Sequence, residues 1–323
     1  MTVQSMWGLE PAIYLFLGGL AGGTFFVSAI VRLVTKDRFP RLALISPWVS
    51  AGALAVGLLC LVVEVEKPLQ ALMMWKSFVN FGSWMTIGAW LLFAAIAVFG
   101  VCAIFSTPRL ATAVESLIKP LKSARKGIVR VTLMVGAVLG LLVAAYTGVL
   151  LMAAGAIPLW NTALIPTLFT VSALDAGASV TIACLLLEKG SQTARSKKAL
   201  TGAVLGLVAA EAVVLSVLLL TLSGGSPGQF VSASTLIEGS LSMPFWGLVV
   251  SIGLVVPFVL GAVELTGLVK NEELARILHF IAVACALVGG FALRYVILAA
   301  GIHGVMVSPD TQQAIMGVYN LIL

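Results

Sequence analysis

The sequence predicts an all-α integral membrane protein of eight transmembrane helices, with both termini outside the cytoplasm. Three observations carry that prediction. Hydrophobic residues make up 60% of the chain and charged residues only 10%, where soluble domains run nearer about 25% charged. The mean hydropathy is +1.12. Eight apolar segments reach the roughly 20 residues that a helix needs to cross a bilayer. Together these exclude a soluble globular enzyme, a disordered chain and a disulfide scaffold.

The segments run over 12–34, 43–65, 81–105, 128–154, 163–187, 199–222, 244–268 and 277–301. They are too long, and alternate too little, to be transmembrane strands. Span one follows a first ten residues that lack a basic region, so it reads as an uncleaved anchor rather than a signal peptide. Its run Gly18-Gly19-Leu20-Ala21-Gly22-Gly23 follows no strand and is not a dinucleotide fingerprint. Small residues there let helices approach closely. Span two ends at Glu64, followed by Glu66 and Lys67. Span four carries Tyr146 in its outer part. Asp175 is near the middle of span five, and Glu211 near the middle of span six. Span seven holds Pro257 and, toward its cytoplasmic end, Glu264. Span eight carries Arg294 in its outer third, with Tyr295 beside it.

Basic residues set the orientation. Of the 19 Lys and Arg, all but Lys67, Lys76 and Arg294 follow spans one, three, five and seven. Examples are Lys36, Arg125, Lys197 and Lys270. The positive-inside rule places those loops in the cytoplasm and both termini outside. The formal charge of +6 therefore marks loops, not a nucleic-acid site. Trp7, Trp75, Trp84, Trp160 and Trp246 fall near the outer boundary, and Trp48 near the inner one. That pattern reads as an aromatic belt, and its asymmetry leaves room for a partner on the outer face.

Several chemistries have no residues to support them. Cys60, Cys102, Cys184 and Cys285 sit in four different spans with no C-x-x-C, so they form no iron–sulfur or zinc motif. Their expected role is apolar packing. His279 and His303 lie about 36 Å apart along span eight at helical rise, which excludes a bis-histidine haem. His279 reads as an interfacial residue beside Arg276. His303 reads as a surface residue or a proton-exchange group. No Walker loop, nucleophile elbow or H-E-x-x-H is present.

Ionisable groups at membrane depth cost about 2.5–3.5 kcal/mol each on insertion scales and mark function. Here they split by depth. Glu10, Tyr14, Glu64, Tyr146, Arg294 and His303 lie in the outer half, where donors and carboxylates suit a polar head group with its tail in lipid. Asp175, Glu211 and Glu264 descend from the midplane toward the cytoplasm, as steps of a proton relay. The structural alternative is that Arg294 and an acid simply neutralise one another. For Glu264 it is snorkelling at the span end.

Five stretches resemble the NrfD-like membrane subunits, the polysulfide reductase membrane-subunit family. They are Tyr14-Leu-Phe-Leu-Gly-Gly-Leu-Ala-Gly-Gly-Thr24; Glu66-Lys-Pro through Asn80-Phe-Gly-Ser-Trp-Met-Thr-Ile-Gly88; Tyr146-Thr-Gly-Val-Leu-Leu with Pro158-Leu-Trp-Asn-Thr162 and Ser172-Ala-Leu-Asp-Ala-Gly177; Gly253 through Pro257 to Glu264; and Gly289-Gly-Phe-Ala-Leu-Arg-Tyr-Val-Ile-Leu-Ala-Ala-Gly301. The resemblance covers nearly the whole chain. It implies two four-helix bundles, 1–155 and 156–323, without haem, in a bacterial cytoplasmic membrane. It implies a quinone site (menaquinone or ubiquinone) toward the outer face, with Tyr146 matching the family's span-four tyrosine. It also implies two partners, a ferredoxin-like iron–sulfur subunit and a molybdopterin or other catalytic subunit. The chain would then be one subunit of an oxidoreductase complex acting on quinone, with no redox metal of its own, and in some members proton movement accompanies the reaction. Some members carry an Asn and a His on span one as quinone ligands; the matching positions here are Pro11 and Tyr14. Proton exchange then falls to Glu10, Glu64 or His303. The outer loop around Met73, Met74, Trp75 and Lys76 is the natural dock.

A weak internal repeat places Leu20-Ala-Gly-Gly-Thr24 on Leu174-Asp-Ala-Gly-Ala178, 154 positions on. The same offset carries span two onto span six, a parallel repeat about the membrane normal. The alternative function is a secondary transporter with an acidic ion path, which predicts helix breaks paired between the halves.

Overall fold

A computed structural model describes residues 8–64, 82–117, 121–188, 191–268 and 271–302. Their regular structure is helical, and eight helices are long and apolar enough to cross a membrane. The spans are α1 (Leu9–Val34), α2 (Pro40–Glu64), α3 (Trp84–Ser106), α5 (Leu121–Met152), α6 (Leu164–Leu185), α7 (Ser191–Ser223), a composite seventh span and α11 (Glu272–Ala299). Short helices α4 (Pro108–Leu117) and α8 (Pro227–Ile237) lie between them. The helices α5 and α7 begin several residues before their apolar runs. Their first turns carry Lys122, Arg125, Lys126, Arg195, Lys197 and Lys198. Lys and Arg are good helix formers, so the helix continues past the apolar stretch.

Spans one and five are the most enclosed. Span one packs on spans two, four and five and also touches eight; span five packs on four, six and eight; span three bridges two and four; span seven bridges six and eight. Glycines make the tightest crossings. The backbone of Gly22 lies against Gly140, that of Gly23 against Ala173 and Gly177, and that of Gly253 against Gly289. A methyl group at any of these glycines would overlap a facing backbone. Without a hydrophobic drive between helices in lipid, such close packing is what holds them.

Span seven departs from a plain helix. It opens with α9 (Ser242–Pro244), continues as a π-helix over Phe245–Val255, and ends as α10 (Val256–Thr266). Pro257 has no N–H to donate, and the wide turns precede it. The Ser251 hydroxyl donates to the Trp246 carbonyl five residues back, at 2.8 Å.

Two residues read from sequence as boundary markers are interior. Arg32, counted among the loop cations, is 1% exposed. Its guanidinium pairs with Asp37 at 2.7 and 3.2 Å and reaches Ser106 at 3.1 Å. The turn that returns Asp37 to it needs positive φ at Lys36 and Asp37. Trp160, placed in the aromatic belt, is fully buried, and its indole N–H donates to the Ile297 carbonyl at 2.9 Å. A buried indole needs such an acceptor; here it fastens the loop between spans four and five onto span eight. Trp48, Trp84 and Trp246 are exposed; Trp7 and Trp75 lie outside the described residues.

Candidate functional site

The most enclosed polar group lies among spans one, five, six and eight. Arg294 of α11 has no exposure. One Nη donates to the Ser172 hydroxyl at 3.1 Å and to the Gly290 carbonyl at 2.6 Å; the other donates to the Phe169 carbonyl at 3.3 Å. Phe16 and Phe169 stand over the guanidinium, with ring centroids 5.7 and 5.2 Å away, within cation–π range. Gly19 of span one lies against the same guanidinium, and a methyl there would press on it.

Glu211 of span six lies close to Ser172 and in the electrostatic field of Arg294. The Ser172 hydroxyl, which accepts from Arg294, thus stands beside both the cation and the carboxylate. Asp175, one helical turn from Ser172, is buried within electrostatic reach of Glu211. Its Oδ1 has no hydrogen-bond partner among the described residues. One guanidinium balances one carboxylate, so two buried acids beside it have a place for one proton.

Tyr146 stands elsewhere. Its ring lies flat against Gly88 of span three, where any side chain would collide with it, and its hydroxyl donates to the Trp84 carbonyl at 3.2 Å. The neighbouring Thr147 packs on Gly18, whereas Arg294 packs on Gly19. Tyr146 thus packs on span three, whereas Arg294 packs on span one. Tyr14 packs at the edge of the larger apolar core, and Glu10 is exposed in the first turn of α1. Glu64 is the last residue of α2, and its side chain falls outside the description. His303 and the loop with Glu66, Lys67 and Met73 to Lys76 also lie outside the described residues.

A third group lies toward the end of the spans that carries the basic loops. Glu264 accepts from the Thr201 hydroxyl at 3.2 Å, pairs with Lys197 at 3.4 Å and is in direct contact with His279 Nε2. His279 is therefore not an interfacial residue beside Arg276. It is buried and turned inward, while Arg276 is exposed.

Sequence reasoning missed Ser172, Phe16, Lys197, Thr201 and His279 as members of these groups. For Ser172 a signal exists: Ser172, Asp175 and Ser179 recur at helical spacing and line one face of α6. For the others there is none, since each partner sits on a different span. Among the described residues no group of three or more His, Cys, Asp or Glu is placed to hold a metal ion.

The comparisons agree with this architecture. Residues 1–306 match the family described as Polysulphide reductase, NrfD. The protein is similar to the C chain of polysulfide reductase from Wolinella succinogenes, with 32% identity over 312 residues, covering 92% of this chain and 94% of that protein. It is also similar to Protein NrfD of Escherichia coli, with 27% identity over 315 residues, covering 92% of this chain and 95% of the other. The match runs through all eight spans and the polar groups just described, and the chain belongs to the NrfD family of polysulphide reductase membrane proteins.

Proposed function

We propose that this chain is the quinone-reactive membrane subunit of a respiratory oxidoreductase complex. It exchanges electrons with an iron–sulfur partner on the face away from the basic loops, and it couples that exchange to proton transfer. The observation that carries this reading is the end-to-end similarity to a protein named as the C chain of polysulfide reductase. A further catalytic subunit, of molybdopterin or another type, completes the complex, which sits in the bacterial cytoplasmic membrane with both termini of this chain outside.

A quinone head presents two carbonyl oxygens and takes hydrogen-bond donors. Tyr146 fits one of them. Its hydroxyl is a donor, only lightly held by the Trp84 carbonyl at 3.2 Å, and Gly88 leaves its ring a seat. Bound there, the quinone supplies two-electron, two-proton chemistry. Tyr146 donates to a carbonyl, and Tyr14 and Glu10 line the approach. Glu64 and His303 exchange protons with water. Arg294, enclosed behind Gly19, acts through its field rather than by opening to the surface. Asp175, Glu211 and Glu264 relay protons.

The helix pairing supports a division into two four-helix bundles, 1–155 and 156–323. Every pairing among spans one to four has a counterpart among spans five to eight. The transporter alternative needs breaks in corresponding spans of both halves. The π-helical break in span seven has no counterpart in span three, where α3 is one continuous helix.

The test is purification of the tagged chain from its native membrane. An iron–sulfur protein should co-elute, and the preparation should oxidise or reduce quinone in a Tyr146-dependent manner. Solute uptake by the isolated chain in liposomes, with no quinone activity in any preparation, would overturn the proposal.

A further inference from the structure

We propose that Glu264 and His279 form a one-proton binding site, open to the basic face of the membrane, that loads Asp175 through the cavity between spans five, six, seven and eight. The proposal deepens the proton-transfer reading above. It rests on that reading for the proton's destination and not for its binding.

Hydrogen-bond chemistry fixes the proton count. His279 Nδ1 lies 2.7 Å from the Ala275 carbonyl one turn back. A carbonyl can only accept, so Nδ1 carries the hydrogen. The other ring nitrogen, Nε2, faces Glu264 Oε2 directly. A neutral imidazole with that tautomer would point a lone pair at a carboxylate oxygen. Close contact therefore requires one proton between them, on the imidazole or on the carboxyl. Thr201 donates to the same Oε2 at 3.2 Å, and Lys197 lies 3.4 Å from Oε1. These are the polar and charged groups that spans six, seven and eight bring to the pair; span five brings Ser179 to the cavity.

The side chains of Lys197 and Glu264 are 23% and 19% exposed, and Lys197 belongs to the basic segment that opens α7, which puts the pair at the basic end of the spans. The cavity beside it has a volume of ≈ 50 Å³ and is bounded by Glu264, His279, Thr201 and Ser179. That is room for about three or four waters at roughly 10–15 Å³ each on this measure. Ser179 lies one turn from Asp175 on the same face of α6, about 6 Å along the axis. Asp175 itself stands one turn beyond the cavity wall, and its Oδ1 is buried without a hydrogen-bond partner among the described residues, so an acceptor lies past Ser179.

The transfer balances simply. A proton from water at the basic face binds between Nε2 and Oε2. It passes to cavity water, and that water gives a proton to the Asp175 carboxylate. Once it has left, the two facing lone pairs repel, and Glu264 turns toward Lys197 until the next proton draws it back.

Two histidines in the sequence make the site directly readable. The test uses the purified complex in lipid, labelled with 15N-histidine and carrying His303→Gln, so that His279 gives the remaining signal from this subunit. The expected spectrum shows a protonated Nδ1 and an Nε2 resonance that moves when Glu264→Gln is added. In proteoliposomes, His279→Gln should lower protons moved per electron at least tenfold, while quinone turnover with a protonophore stays within twofold. An unprotonated Nδ1, an Nε2 signal indifferent to Glu264→Gln, or unchanged proton movement in His279→Gln would overturn the proposal. If His279→Gln fails to assemble, the spectrum alone decides. A wild-type complex without quinone activity would refute the functional reading, while the spectrum of the labelled complex still reports on the proton.

Discussion

Replacing Arg294 by Met separates its structural work from any part in quinone chemistry. The variant keeps an unbranched apolar stem, is shorter by the guanidinium, and removes three hydrogen bonds, to Ser172, Gly290 and Phe169. Interhelical hydrogen bonds in a membrane are worth about 0.6–1.7 kcal/mol each; two of the three, to Ser172 and Phe169, cross to span five, which brings the interhelical loss to about 1–3.5 kcal/mol. Where two buried charges are in contact, removing one partner costs about 3–5 kcal/mol; Glu211 meets Arg294 only through its field, so that figure is an upper bound here. Glu211, left without its cation, should account for much of the loss, so adding Glu211→Gln should recover about 2 kcal/mol. Arg294→Lys keeps the charge but loses the planar fork between Phe16 and Phe169, and should fall between wild type and Met. The assay is equilibrium unfolding of the purified protein in mixed micelles, with quinone turnover of the assembled complex, measured on wild type, Arg294→Met, Glu211→Gln, their double variant and Arg294→Lys. Single effects of Arg294→Met and Glu211→Gln that add to within about 0.5 kcal/mol would show that the residues do not interact, and the coupling of Arg294 to Glu211 would be refuted. Recovery of stability without recovery of turnover would give Arg294 a role beyond neutralising Glu211.

Three further outcomes are expected. Tyr146→Phe removes one neutral hydrogen bond of about 0.5–1.5 kcal/mol, so the apparent KM for quinone should rise roughly 2- to 10-fold with assembly intact; an unchanged KM would move the quinone away from Tyr146. Gly177→Ala places a methyl on the Gly23 backbone and should destabilise by about 1–3 kcal/mol or more, whereas Gly52→Ala, with nothing within 4 Å, should not; equal unfolding midpoints would contradict the crossing. Asp175→Asn should depress proton movement more than quinone turnover in proteoliposomes, and equal loss of both would end the idea of a relay separate from the quinone reaction.

The eight spans were legible because a bilayer demands length and hydropathy, and both are local properties of sequence. Their ends were less so. At α5 and α7 the helix outruns the apolar segment, since Lys122, Arg125, Arg195 and Lys197 favour helix as well as water. Depth was legible for Arg294, Asp175 and Glu211; partnership was not. Nothing along the sequence says that Ser172 stands between Arg294 and Glu211, or that His279 turns toward Glu264, because those contacts join different spans. Trp160 and Arg32 stand at span ends as read, but their burial was not legible, for a related reason. Both residue types favour interfaces on average, and only the facing Ile297 carbonyl and the Asp37 carboxylate make an interior position tolerable.

The internal repeat explains where the polar chemistry sits. Gly23 and Gly177, 154 positions apart, touch one another where spans one and five cross, as equivalent residues beside a two-fold axis would. At the same offset Gly18 answers Ser172, Gly57 answers Glu211, and Ala21 answers Asp175. The contacts correspond as well. Gly57 of span two lies against span one between Tyr14 and Gly18, and Glu211 of span six lies beside Ser172 of span five. Lipid permits two ways to hold adjoining helices, small residues that bring backbones together or polar side chains that bond across the gap. The first half uses the former at these positions and the second half the latter. Equivalent helix crossings thus yield a tightly closed glycine contact in one half and an ionisable network in the other. On the function proposed above, that asymmetry assigns proton handling to spans five to eight and the quinone to Tyr146 in the first half.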